Sequence, residues 1–245
     1  MTNPVSIAIA LGCALLLAGC DSGAPEAAPS ANETSAASTP TPLPTRESLD
    51  TVHVRIETAA GNITLALDAK HAPKTVLNFM QYVDDQRFDG TNFYRASRRN
   101  GAPGQGFIQG GIGTDARRMA ASVLPLEATN VTGIHHVDGT VSMAHGDDPD
   151  SATGNFSILL GPSPSLDARP GEGVRPGSRG FAAFGHVTKG MDVAKRILAQ
   201  PSGGGAGAMR GQMILKPVPI VRVVRLDGTA HPSGAYKAWL MGQPR

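Results

Sequence analysis

Cysteine is nearly missing from this chain. The only two, Cys13 and Cys20, lie within the first twenty residues. A folded domain further along therefore contains no disulfide and no thiol chemistry, which leaves an oxidising compartment open to it. An excess of charge is missing as well. The 22 Lys and Arg residues against 20 Asp and Glu give a formal net charge of +2, too little to point to nucleic acid. Arg95, Arg98, Arg99, Arg117 and Arg118 do crowd one region, which reads as a solvated loop face. The apolar run over 5–18 is shorter than the ~20 residues a membrane-spanning helix needs. Serines and histidines show no nucleophile motif. His135 and His136 are adjacent, and adjacent residues on a strand point to opposite faces, so no metal-ligand spacing is seen. No metal or cofactor is expected, and no internal repeat is present.

What the chain does have is 30 Gly and 19 Pro in 245 residues, a balance that suits a loop-rich β protein better than a helical bundle. The run over 5–18 has the length of a signal-peptide hydrophobic region. It ends in Leu17-Ala18-Gly19-Cys20, which resembles a bacterial lipobox. That resemblance implies cleavage before Cys20, lipidation of Cys20 and a membrane anchor in the cell envelope. Asp21 then favours the inner membrane. Residues 21–50 are Ala, Ser, Thr and Pro with few large apolar side chains; such a stretch cannot bury enough surface to offset its ordering entropy. It reads as a disordered tether, reaching ~30 Å as a coil and up to ~90 Å extended. The expected organisation is a signal peptide over 1–19, the lipidated cysteine and tether over 20–50, one folded domain over 51–228, and a tail over 229–245.

Within the domain, Val52, Val54 and Ile56 alternate with polar residues, and so do Ile63, Leu65 and Leu67. With Ala60-Gly61-Asn62 between them they predict a β-hairpin. Pro73 suits a first helical turn, and Val76, Phe79, Met80 and Val83 recur at helical spacing, predicting a helix over 73–84. Met191, Ala194, Ile197 and Leu198 predict a second. Thr140 to Ala144, 184–187 and 218–223 read as strands, 112–139 as irregular, and 203–211 as flexible. Tyr236, Trp239 and Leu240 at helical spacing predict a short terminal helix.

Asn78-Phe79, Phe93-Tyr94-Arg95, the run from Gly106 to Gly111, Val141 to Ala144, Leu166-Asp167 and Phe184-Gly185-His186-Val187 occur in that order. This ordered set resembles the cyclophilin family of peptidyl-prolyl isomerases, over roughly residues 52–225. The resemblance implies a mainly β fold, a closed eight-stranded antiparallel barrel capped by two helices. It implies a monomer that rotates X-Pro bonds of unfolded or exported polypeptides without a covalent intermediate. Arg95 would polarise the amide and Gln109 would orient Arg95 or bond the substrate backbone. Phe107, Met143 and Phe181 would grip the proline ring; Phe107 fits either the family's pocket phenylalanine or the apolar residue after it. Tyr94, Ala144, Asn155 and Leu166 would complete the binding surface. The chain departs from the family at His145, at Ser165, in insertions over 96–105 and 168–180, and above all at Ser157. There a serine stands where the family has the phenylalanine that floors the pocket. The alternative reading is a non-catalytic module of the same fold that holds Pro-containing segments or a partner protein.

Overall fold

The alternation in the first hairpin is realised as expected. In the computed structural model, which describes residues 49–120, 124–169, 179–235 and 237–240, β1 (Thr51–Thr58) pairs antiparallel with β2 (Gly61–Asp68), placing Val54 opposite Leu65 and Ile56 opposite Ile63. Thr58 Oγ1 closes the turn, donating to Gly61 O at 2.6 Å and accepting from Ala60 N at 3.0 Å. The leader, Cys20 and nearly all of the tether lie outside the described residues.

Six further strands complete the barrel: β3 (Thr91–Arg98), β4 (Gly106–Gly111), β5 (Thr140–Met143), β6 (Asn155–Leu160), β7 (Ala182–Lys189) and β9 (Met213–Arg225). Their order is β1-β2-β7-β5-β6-β4-β3-β9, every neighbour is antiparallel, and β9 returns to pair with β1. The ring is therefore closed, and closure leaves no long edge to template association. A two-residue strand, β8 (Ser202–Gly203), is added on the far side of β9.

Pro73 opens α1 (Pro73–Asp84), whose Val76, Phe79, Met80 and Val83 are buried. Phe79 packs its ring 4.9 Å from Phe88 and 5.4 Å from both Phe156 and Phe184. No local side chain caps this helix. A distant carboxylate does so instead: Glu127 accepts from Lys74 N at 3.1 Å and from Thr75 N at 2.7 Å, where a negative charge is favoured by the helix dipole. The second expected helix is α3 (Met191–Leu198), with Val193, Ala194, Ile197 and Leu198 buried. A single turn, α2 (Thr129–Thr132), makes a third helix inside the segment read as irregular.

Two expectations need correction. The basic cluster is only partly a solvated face: Arg98, Arg99 and Arg117 are exposed, Arg95 is half-buried and Arg118 is buried. Arg98 donates to Leu198 O at 2.9 Å and Ser202 Oγ at 2.8 Å, and Arg99 to Pro162 O and Ser163 Oγ. Arg118 is buried and donates at 2.8 Å to the carbonyls of both Arg87 and Asp89. These arginines fasten loops to the barrel. The first insertion is also shorter as a loop than expected, because β3 runs on through Arg98.

Candidate active site

The chemistry begins with an irregularity in β3. Its register slips between Phe93 and Arg95 against both β4 and β9. Phe93 and Ala96 face the core, and the extra residue between them lets Tyr94 and Arg95 both face outward, as a bulge allows. On β4, Gly106, Ile108 and Gly110 face inward and Phe107 and Gln109 outward. Gly110 is required there: a Cβ would lie 2.8 Å from Phe93 Cδ1.

Arg95 is gripped by neutral groups. Its Nη1 donates to Gln109 Oε1 at 2.9 Å, its Nε to Gln212 Oε1 at 2.9 Å, and its Nη2 to Ala208 O at 3.4 Å. Its Cζ stands 4.9 Å from the centroid of the Phe107 ring. Among the described residues no carboxylate pairs with it. Burial lowers its pKa, while Tyr94 acts the other way, and a guanidinium stays protonated regardless. The result is a fixed, unneutralised cation with N–H groups to spare. Tyr94 beside it is half-buried, and the loss of water around its phenol pushes the pKa up to about 12, so it is neutral.

Gln212 was missed by sequence reasoning. It follows the glycine-rich run over 203–211, which reads as flexible. The run is instead folded over Arg95, with a 3₁₀ turn at Gly207–Met209 and Gln212 Nε2 donating to Ala208 O at 3.0 Å. Only the polar residue at the end of that run hinted at a role.

From Arg95 the register runs across the outer face of the sheet. Arg95 lies opposite Gln109, Gln109 opposite Ser157, and Ser157 opposite Ser142. Ser157, half-buried, thus forms the floor between the cation and β5. Beyond it stands a second wall. His145 stacks on Phe181, centroids 4.3 Å apart and planes 19° apart, with its Nε2 2.9 Å from Gly180 O. Phe181 N donates to Leu166 O at 3.0 Å. Ala144 borders this wall, its N–H donating to Asn155 O at 2.9 Å.

One expected substrate contact is placed differently, and a second is tied to a neighbouring loop. Met143 is 1% exposed and belongs to the core. It cannot line the pocket beside Ala144, because successive strand residues point to opposite faces. The Asn155 amide, half-buried, is engaged by protein groups. Its Oδ1 accepts from Gly113 N at 2.8 Å and Tyr94 Oη at 3.1 Å, and its Nδ2 donates to Gly113 O at 3.0 Å. Asn155 thereby ties the loop after β4 to Tyr94. A cleft of about 680 Å³ lined by Asp68, His71, His135 and His186 contains none of these residues. Among the described residues no group of three His, Cys, Asp or Glu is placed to hold a metal ion.

The family model for cyclophilin-type peptidyl-prolyl cis-trans isomerases matches residues 53–225. This chain is a member of the cyclophilin family. Peptidyl-prolyl cis-trans isomerase A of Dickeya dadantii is 39% identical over 145 residues, covering 59% of this chain and 70% of that protein. Peptidyl-prolyl cis-trans isomerase cyp18 of Streptomyces antibioticus is 34% identical over 168 residues, covering 69% of this chain and 93% of its own. The crystal structure of a Cryptosporidium parvum cyclophilin-type isomerase superposes with a TM-score of 0.56 at 19% identity, covering 73% of this chain and 99% of that one, a likeness of fold. The cyclophilin described here is thus a peptidyl-prolyl cis-trans isomerase, an enzyme that binds Pro-containing polypeptides.

Proposed function

We propose that this cyclophilin catalyses rotation about X-Pro bonds through Arg95 and serves proteins exported across the cytoplasmic membrane. The observation that supports the mechanism is the Arg95 guanidinium, held by Gln109, Gln212 and Ala208 and stacked on Phe107 without a neutralising carboxylate. Amide rotation must overcome ~18–20 kcal/mol of resonance-derived barrier. As the bond twists, the proline nitrogen becomes a better hydrogen-bond acceptor. A donor fixed in advance gains more from that twisted state than from either planar one, which is the condition for catalysis. No bond to the enzyme forms. Phe107 and Phe181 offer apolar surface for the proline ring on either side of Ser157.

Arg95→Ala tests this. The expected outcome is loss of ~100-fold or more in acceleration of cis/trans exchange of an Ala-Pro peptide, the scale of losing one preorganised donor. The circular dichroism spectrum should be unchanged, because Arg95 lies outside the core. A variant that keeps its rate would remove Arg95 from the mechanism. A second reading, a binding module with little turnover, is favoured by Ser157, which takes an aromatic floor out of the pocket.

The cellular setting rests on the sequence: a signal over 1–19, lipidation at Cys20, a tether over 20–50 and Asp21 favouring the inner membrane. Cys20→Ala should shift the protein from the membrane to the soluble fraction. Retention on the membrane would count against the anchor.

A further inference from the structure

His135 and His136, which a strand would send to opposite faces, both reach one carboxylate. Asp167 Oδ2 lies 3.2 Å from His135 Nδ1, and Asp167 Oδ1 lies 2.6 Å from His136 Nδ1. The other nitrogen of His136, Nε2, is 2.8 Å from Ser142 Oγ. His136 is 1% exposed and Ser142 3%. The order Asp–His–Ser is that of a hydrolytic triad. Here, however, the serine lies within β5, covered, and no substrate can approach its oxygen.

The protonation pattern is legible. Burial lowers the pKa of His136, and Asp167 opposes this without reversing it. Burial acts to raise the Asp167 carboxyl, but the bonds from His136 and His135 outweigh it and hold it below its ordinary value. Asp167 therefore accepts from His136 Nδ1–H, and the neutral Nε2 accepts from the Ser142 hydroxyl. Two backbone bonds add to this tie: His136 N donates to Asp167 Oδ1 at 3.0 Å, and Ser163 N to His136 O at 2.8 Å. The turn so held, 163–167, carries Leu166, whose carbonyl holds Phe181. At the other end of the tie, Ser142 is the register partner of Ser157.

We propose that His136 is a positioning residue for substrate binding: as a link between Asp167 and Ser142, it sets the spacing between the Leu166–Phe181 wall and the Ser157 floor. The proposal rests on the isomerase reading of the Arg95 site. Arg95 and Gln109 stand on β3 and β4, away from this link. Loosening it therefore weakens the grip on the peptide and spares the rotation step.

The experiment is cis/trans exchange of an Ala-Pro peptide followed by NMR across a peptide titration, giving KM and kcat separately. It uses the full chain as wild type and as Ser142→Ala, Asp167→Ala and Asp167→Asn. Ser142→Ala removes one hydroxyl and is the variant least able to disturb folding; thermal melts confirm that each variant is folded. The expected result is a KM raised about tenfold, roughly one hydrogen bond of binding energy, by Ser142→Ala and Asp167→Ala, with kcat within about twofold of wild type. Asp167→Asn keeps an oxygen that accepts from Nδ1 and should recover part of the loss. A KM within twofold of wild type in Ser142→Ala, or a fall in kcat at constant KM, overturns the proposal. If wild type itself gives no acceleration, the Arg95 reading fails first and the proposal falls with it.

Discussion

At the scale of single residues, this enzyme keeps the cation and changes the pocket. Arg95 and Gln109 hold each other at 2.9 Å, yet Ser157 leaves the floor between Gln109 and Ser142 short of a large apolar group. Ser157→Phe would restore that surface. Its expected effect is a lower KM for Ala-Pro peptides, worth up to ~1–3 kcal/mol of apolar burial, measured by the same exchange assay. An unchanged or higher KM would mean that neighbouring side chains already occupy the space. His145 makes part of the compensation, because its ring covers Phe181 at 4.3 Å. His145→Ala should free Phe181 and raise KM by a few-fold, the scale of one aromatic pair at ~0.5–1.5 kcal/mol.

At the scale of elements, the site is made by exceptions to regular strands. The bulge in β3 turns Tyr94 and Arg95 to one side, and glycines let neighbours approach. Gly154 is one such position: a Cβ there would lie 2.2 Å from Tyr82 Cε1, in a ring that is fully buried and accepts from Ala120 N at 3.0 Å. Gly154→Ala is expected to cost ~1–3 kcal/mol or more by overpacking, read as a lower midpoint in urea; equal midpoints would show that Tyr82 can move. The regular elements were legible in the sequence because their signals are local. Pro73 and the Val76–Phe79–Met80–Val83 stripe mark α1, and alternation marks the first hairpin. That Arg95 and Gln109 meet was legible through motif order. The misplacements share a different cause. Met143 and Ala144 were assigned to one pocket although a strand separates them by face. The glycine-rich run hid Gln212, because composition reports flexibility and not the partner that ends it. The shared carboxylate of His135 and His136 comes from a loop 31 positions away, beyond any local pattern.

At the scale of the molecule, the described part of the tail, 229–235 and 237–240, belongs to the structure. Within it, Ser233 and Trp239 fold back on the end of α1. Ser233 bonds Asp85 through both N and Oγ at 2.7 Å, Trp239 Nε1 donates to Gln86 O at 3.1 Å, and Arg87 lies 4.6 Å over the Trp239 ring. Trp239 is 3% exposed, so Trp239→Ala should cost ~3–5 kcal/mol. That lowers Tm by about 10 °C in a domain of this size; a shift under 2 °C would show that the tail adds little. The acid response also belongs to the whole molecule. Arg117, outweighing the smaller effect of burial, brings Asp115 down to about 2. At Asp85 burial acts to raise the pKa, but bonds from Ser233 and Arg87 prevail and lower it. A carboxylate depressed in the folded state adds stability above its unfolded pKa of ~3.9, and that stability is lost as pH falls through the folded value. Asp89, raised by burial, works in the opposite sense. Thermal melts should therefore begin to fall as pH drops below ~6.5, where the unfolded chain protonates a histidine that burial keeps neutral at His136, and fall further between 4 and 2. A Tm that rises in that range would mean that Asp89 and groups like it dominate.

The closure of the ring has a consequence for the order of events during synthesis. β1, near the start of the described chain, finds one of its two neighbours in β9, and just beyond that pairing His53 N bonds Asp227 Oδ1 across 174 positions. β3 likewise waits for β9 on one side. Until β9, Met213–Arg225, has left the ribosome, two strands stand with open flanks. Contacts this distant in sequence slow the final assembly. A protein that speeds rotation about X-Pro bonds is itself committed to finishing late, and a chain cut short before 213 would carry those open flanks permanently, as sites of mispairing.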